Sequence, residues 1–314
     1  MSPRVAAVDC GTNSIRLLVA DVDGDGRLVD VVRRMEVVRL GQGIDRTGVI
    51  APEAMERTLA MSREYAEVCR RAGVERVRFV ATSASRDARN AGEFVDGVRA
   101  AFGELDVAPE VVDGDVEARL SFTGATGDLR TIGLAGPYLV VDLGGGSTEL
   151  VRGTTDVEAG RSVDVGCVRM TERHLRSDPP TSAEVDGARA DIRAALDEAA
   201  AVVPLTGIAA VVGLAGSITT VTAHALDLPR YDAERIHLAR LPAPDHLAAC
   251  ADLLAMTRAE RAALPFMHPG RVDVIGAGAL VWAEVLERVL TVSPGAEVVT
   301  SEHDILDGIA LSLL

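Results

Sequence analysis

The chain has 314 residues, 48% of them hydrophobic but only 3% aromatic, and a formal net charge of −15. That length predicts two domains, each large enough to bury its own core, and the composition excludes large-scale disorder. The acidic balance excludes an extended nucleic-acid-binding face, so a polyanionic ligand has to be held locally by a few arginines, helix N-termini and a divalent metal ion.

Residues 4 to 9 form a short apolar run ending in Asp9, and the apolar pattern resumes over residues 14 to 22 after Cys10-Gly11-Thr12-Asn13. This pattern predicts a strand, a tight loop and a second strand. Asp23-Gly24-Asp25-Gly26 is turn chemistry, and residues 27 to 39 read as a third strand that returns antiparallel. Pro52 and Gly73 bracket an amphipathic helix, followed by a strand over residues 76 to 82 and a helix over 91 to 103. A strand over residues 107 to 113 and a helix from Gly114 complete a first α/β lobe.

At residues 137 to 151 the opening theme recurs as apolar strand, Asp142, glycine loop and apolar strand. Asp9 and Asp142 each have a glycine two residues on, Gly11 and Gly144, and a serine five residues on, Ser14 and Ser147. This matched spacing predicts an internal duplication. The second lobe continues with a strand near 157 to 165, helices near 167 to 175 and 182 to 202, a strand ending in Gly213-Leu-Ala-Gly216-Ser217 that opens a helix, and a mainly helical remainder. The expected domains are residues 1–125 and 126–299, with a soft boundary near Gly124 to Gly136.

Phosphate groups need backbone N–H donors at close range, and glycine turns let the main chain approach them without Cβ clashes. Gly144-Gly145-Gly146 meets that need. Two such hairpins facing each other across a cleft would hold a phosphate from both sides, with Thr12, Asn13, Ser14, Ser147 and Thr148 donating hydroxyl or amide hydrogen bonds. Asp9 and Asp142, at the strand ends, would hold magnesium, which is commonly bound through one or two carboxylates plus substrate phosphates. Either loop alone would read as an ordinary turn; the matched pair, with Gly216 and Ser217 as a third loop at a helix start, points to phosphate binding.

Cys10, Cys69, Cys167 and Cys250 show no CxxC or Cys/His spacing, and the six histidines lack HxH and HExxH spacing. Neither a disulfide framework nor a zinc site is expected, and the cysteines read as reduced thiols, with Cys10 a packing residue rather than a nucleophile. No leader precedes the first strand and no uncharged apolar run reaches membrane-spanning length, so the expectation is a cytoplasmic protein with no membrane partner.

The motifs Asp9-Cys-Gly-Thr-Asn-Ser14, Ala81-Thr-Ser-Ala-Ser-Arg-Asp-Ala-Arg-Asn90, Gly114-Asp-Val-Glu-Ala-Arg119 and Asp142-Leu-Gly-Gly-Gly-Ser-Thr-Glu149 resemble, in order and spacing, the Ppx/GppA family of exopolyphosphatases and guanosine pentaphosphate phosphohydrolases. Weaker matches at Gly166 to Glu172, Gly213 to Ser217 and Arg271 to Ile275 extend the resemblance over nearly the whole chain. The resemblance implies a two-lobed, duplicated α/β fold of the actin-like ATPase clan (ribonuclease H-like). Its inter-lobe cleft would hydrolyse a terminal phosphoanhydride of polyphosphate or of a polyphosphorylated guanosine nucleotide. A C-terminal helix within residues 300–314 would pack back on the first lobe, and the chain looks like the short form that lacks further domains. Family members often carry Arg where this chain has Asp307 before Gly308.

By this resemblance Glu117 is the catalytic base and Glu149 aligns the attacking water. Read from sequence alone, Glu117 would be an ordinary acidic residue in the first turn of a helix. Arg86 would grip phosphate oxygens with Asn90 one helical turn further on, although a solvated arginine beside Asp87 is the plainer reading; Arg119 would bind another phosphate or support the site. Mg2+ is the expected cofactor, with Mn2+ as an alternative and a monovalent cation as an addition. A homodimer is expected, since a cleft continued across a two-fold axis suits a long polyanion. The competing functions are a clan-related kinase and a non-catalytic sensor of guanosine tetra- or pentaphosphate.

Overall fold

The computed structural model describes residues 3–24, 26–129 and 131–314. Asp25, in the expected first turn, lies outside the described residues. The chain divides into two compact units, Met1–Gly124 with Ile305–Leu314, and Ala125–Asp304.

In unit 1, β1 (Arg4–Cys10), β2 (Ser14–Val22), β3 (Leu28–Val37), β4 (Arg76–Ala81) and β5 (Glu110–Val111) form a sheet of order β3-β2-β1-β4-β5. The opening meander is antiparallel, whereas β1 pairs with β4 in parallel. The strand expected over residues 107 to 113 shrinks to two residues, because Pro109 just before it has no N–H to give a ladder. One face of the sheet is covered by the helix Pro52–Ala72, which starts on a proline and ends on Gly73 at φ 65°, and by Ala91–Phe102; Phe79, Phe94 and Phe102 meet edge to face there. The other face packs Ala7, Leu18, Ala20 and Val80 against Ile305, Leu306 and Ile309 of the final helix Ile305–Leu311. Gly308 lies so close to the helix Gly114–Thr126 that a Cβ there would sit 1.9 Å from the Leu120 carbonyl. Asp307 is buried and accepts from both terminal nitrogens of Arg33 on β3, at 2.5 and 3.3 Å, which tethers the last helix to the sheet.

In unit 2, β6 (Tyr138–Leu143), β7 (Thr148–Gly153), β8 (Val157–Val163), β9 (Ala210–Leu214), β10 (Ala239–Arg240) and β11 (Glu297–Thr300) form a sheet of order β10-β11-β9-β6-β7-β8. The β6-β7-β8 meander and the parallel β6-β9 pair repeat the plan of unit 1. The strands β10 and β11 were not foreseen in the helical remainder, being too short for alternation to register. The helix Ile275–Val292 runs through the core, its Trp282 fully buried; a side chain at Gly213 would collide with Ile218 and Trp282 at 2.6 and 2.9 Å. Among the described residues no helix is long and apolar enough to cross a membrane.

Candidate active site

The two hairpin loops share one hydrogen-bonded turn. Gly11 N–H donates to the Ser14 carbonyl at 2.9 Å, and Gly144 N–H donates to the Ser147 carbonyl at 3.0 Å. Each loop then hands its carbonyls to the segment after its third strand. Val38 and Arg39 donate to the Asn13 carbonyl and Gly41 to that of Thr12; Cys167 donates to Gly144, Val168 and Arg169 donate to Gly145, and the Arg169 side chain donates to the Gly146 carbonyl at 2.7 Å. These contacts require close approach: a Cβ on Gly166 would lie 2.4 Å from the Gly145 oxygen. With its acceptors committed, the second loop retains donors, and among the described residues the Gly145 and Gly146 N–H groups have no hydrogen-bond acceptor. A loop of that polarity suits an anion.

Strand register sets the charges beside each loop. Asp9 pairs with Arg16 across β1 and β2, and Asp142 pairs with Glu149 across β6 and β7. Directly opposed residues share a face of the sheet, with Cβ atoms about 5 Å apart. Asp9 accepts from Arg16 Nε at 2.9 Å and Nη2 at 2.6 Å, so a resident cation already offsets its charge. Asp142 and Glu149 are 6% and 1% exposed, and the Ser162 hydroxyl donates to Glu149 Oε1 at 2.7 Å. Two buried carboxylates on one face repel each other, and a divalent ion with oxygen ligands is the species that relieves this. The hard-oxygen donor set fits magnesium at Asp142 with Glu149. At Asp9, which the sequence reading pairs with Asp142 as a metal ligand, both Arg16 contacts go to the single oxygen Oδ2.

In unit 1 Glu117 is 7% exposed on the helix Gly114–Thr126. Arg86, in the short helix Ser83–Asp87, donates to Glu117 Oε2 at 3.1 Å and to the Val112 carbonyl at 2.9 Å. Its guanidinium therefore orients the carboxylate, and it is not the solvated arginine considered above. The Thr12 hydroxyl meets that of Ser83 at 2.8 Å, which joins the first loop to the same segment. Asn13 and Ser14 are half-buried at the loop. Arg119 is exposed on the Glu117 helix.

Three residues expected to touch phosphate have their side chains engaged elsewhere. The Asn90 amide is held on both sides by the backbone of Ile50, at 2.8 and 3.1 Å. The Thr148 hydroxyl donates to the Val165 carbonyl. The Ser217 hydroxyl bonds Cys167 and faces Gly278, where an added Cβ would lie 2.3 Å from it. Burial pushes the Cys10 and Cys167 thiols up, which removes them as nucleophiles.

Arg271 is the residue the sequence reading missed. Its guanidinium lies against Gly216, where a Cβ would sit 2.4 Å from Cζ, donates to Thr220 Oγ1 at 3.2 Å, and stands over the Tyr231 ring with Cζ 5.8 Å from the centroid. Ala215, immediately before Gly216, has φ 66°, a strained conformation for a side-chain-bearing residue. Arg271 stands inside a stretch already matched to the family, but nothing local tied it to Gly216.

Comparison with known proteins agrees with this architecture. The chain is 53% identical over 316 residues to exopolyphosphatase 2 of Mycobacterium tuberculosis, covering 99% of this chain and 98% of that protein. It is 34% identical over 189 residues, 60% of this chain and 36% of the other, to a guanosine-5'-triphosphate,3'-diphosphate pyrophosphatase of Vibrio cholerae. A crystal structure described as an exopolyphosphatase-like protein superposes with a TM-score of 0.94 at 46% identity, over 99% of this chain and 98% of that one. With residues 18–313 matched by the Ppx/GppA phosphatase family, and with two sheets of the plan described above, the chain belongs to that family and to its actin-like fold class.

Proposed function

We propose that the chain is an exopolyphosphatase, which releases orthophosphate from the end of inorganic polyphosphate by attack of water. The observation that carries this reading is the second hairpin, where the Asp142–Glu149 pair stands beside a glycine loop that keeps N–H donors for an anion. Gly145 and Gly146 N–H groups hold terminal phosphate oxygens in the loop shaped by Gly144 and Ser147, and Gly11, Thr12, Asn13 and Ser14 form the corresponding loop of unit 1. Glu117, oriented by Arg86, takes the proton from water as its oxygen bonds to the terminal phosphorus; the bridging P–O bond breaks and its electron pair leaves with the shortened chain. Arg271, at Gly216, adds a cation for further phosphates of the substrate. Bound at Asp142 and Glu149, magnesium supplies positive charge for the phosphate oxygens.

Arg119 and the Mn2+ alternative belong to the same proposal, as do a monovalent cation, a cytoplasmic location and a homodimer. The four free, buried cysteines favour a reducing compartment. A molar mass of one chain by light scattering would dispose of the dimer.

The test is phosphate release by purified protein with magnesium from short polyphosphate, long polyphosphate, guanosine pentaphosphate and ATP. Selective release from polyphosphate is expected. Preference for the guanosine nucleotide, the second reading suggested by the Vibrio relative's name, would reassign the substrate, and release from none would leave only a binding role.

A further inference from the structure

We propose that Asp128, His237 and His303 form a second metal site, for a borderline divalent ion such as zinc, separate from the hairpin carboxylates. Their ligand atoms all lie within 4.8 Å of one another. His303 Nδ1 is 2.7 Å from Asp128 Oδ2, His237 Nε2 is 3.6 Å from the same oxygen, and the two imidazole centroids are 4.4 Å apart with planes at 44°. A tetrahedral ion with bonds of about 2.0–2.2 Å separates its donors by about 3.4 Å, so the His303–Asp128 contact must open by about 0.7 Å while the His237–Asp128 separation already fits. Two imidazoles and one carboxylate, with a position left for water, match a borderline ion, whereas magnesium prefers oxygen alone. The side chains are 41%, 22% and 40% exposed for Asp128, His237 and His303, which gives the ion a path in from solvent.

Glu302 N–H donates to His237 Nδ1 at 3.3 Å, so the ring proton sits on Nε2 and faces Asp128. Binding replaces that proton at Nε2, the proton passes to Nδ1, and the long Glu302 contact is given up. The Ser301 hydroxyl donates to the His303 carbonyl at 2.8 Å and accepts from the His303 N–H at 3.0 Å, which fixes the backbone that presents this ring.

The location gives the ion a structural task. Asp128 follows the point where the chain enters unit 2, at Ala125, and His303 stands next to the last residue of that unit, Asp304. An ion held by both, and by His237 from between them in sequence, fastens the two ends of unit 2 together. It stabilises the folded unit because the unfolded chain offers no assembled site.

The experiment is a titration of chelator-treated full-length protein with Co2+, then Zn2+, in excess Mg2+ to keep the hairpin carboxylates occupied. We expect one equivalent of Co2+ to give visible d–d absorption of tetrahedral intensity, to be displaced by Zn2+, and to raise the melting temperature. His237→Ala and His303→Ala should each weaken Co2+ binding by at least about 10-fold, since even outer-sphere changes cost that much. Asp142→Asn should leave the signal intact. His303→Gln, closer in shape, replaces the alanine variant if that one does not fold. Absence of the signal at one equivalent, its survival in both histidine variants, or its loss in Asp142→Asn would overturn the site.

Discussion

In the first unit the hairpin aspartate, Asp9, faces Arg16 across the strands, and in the second the corresponding Asp142 faces Glu149. Backbone plan, turn hydrogen bond and the tethering of loop carbonyls by the segment after the third strand are common to both units. The duplication thus preserved the scaffold and changed one facing residue. That residue decides whether the hairpin aspartate faces a guanidinium or a second carboxylate.

The most direct way to break this contrast is to copy one hairpin into the other. Glu149→Arg, which gives the second hairpin the first one's pair, and Asp142→Asn should each lower magnesium-dependent phosphate release by about 10³-fold with the fold retained. Magnesium-dependent turnover surviving in Glu149→Arg would sink the assignment of that ion to unit 2. Glu117→Gln tests what unit 1 contributes. It should cost about 10²–10⁴-fold in kcat, and near-normal turnover would end the base assignment.

Acid sensitivity sharpens the contrast in stability. All six histidines lie in unit 2, and burial pushes His246 down to about 4, its Nδ1 accepting from Trp282 Nε1 at 3.4 Å. A group whose folded value is depressed resists protonation that the unfolded chain accepts, so stability is full above the ordinary histidine value near 6.5 and falls as pH drops toward 4. The loss for unit 2 is at most about 3 kcal/mol, followed by urea titration of Trp282 fluorescence, and His246→Leu should flatten it. A pH-independent wild type over that window would refute this. Trp282 is the chain's single tryptophan, so that signal reads unit 2. The smallest effect is expected for Arg16→Met, which takes the ion-pair partner from a nearly buried Asp9. It should destabilise unit 1 by about 2 kcal/mol, allowing for the part of Arg16 still in water. A circular dichroism urea curve is the readout, and an unchanged midpoint would mean the pair contributes nothing.

The scaffold was legible because its signals are local. Alternation, Asp-x-Gly spacing and the Pro52 and Gly73 punctuation all lie within a few residues of what they specify. The hairpin loops and the burial of Glu117 and Glu149 beside their strands and helix follow from local pattern, but side-chain direction does not. Asn90 turns to Ile50 and Thr148 to Val165, choices set by neighbours far away in sequence. The Asp128–His303 contact spans 175 positions, a separation no motif spacing can report. Arg16 is the instructive omission: the antiparallel hairpin already implied that it opposes Asp9, as Glu149 opposes Asp142.

The return of residues 305–311 to the sheet of unit 1 bears on synthesis. During translation the first unit is made before the second, yet the face formed by Ala7, Leu18, Ala20 and Val80, partly lined by Val112 and Leu120, gains Ile305, Leu306, Ile309 and Ala310 only after residues 305–311 have left the ribosome. The nascent chain therefore carries an incompletely covered apolar sheet through the whole of unit 2's elongation, an interval in which a growing chain is exposed to aggregation and to capture by chaperones.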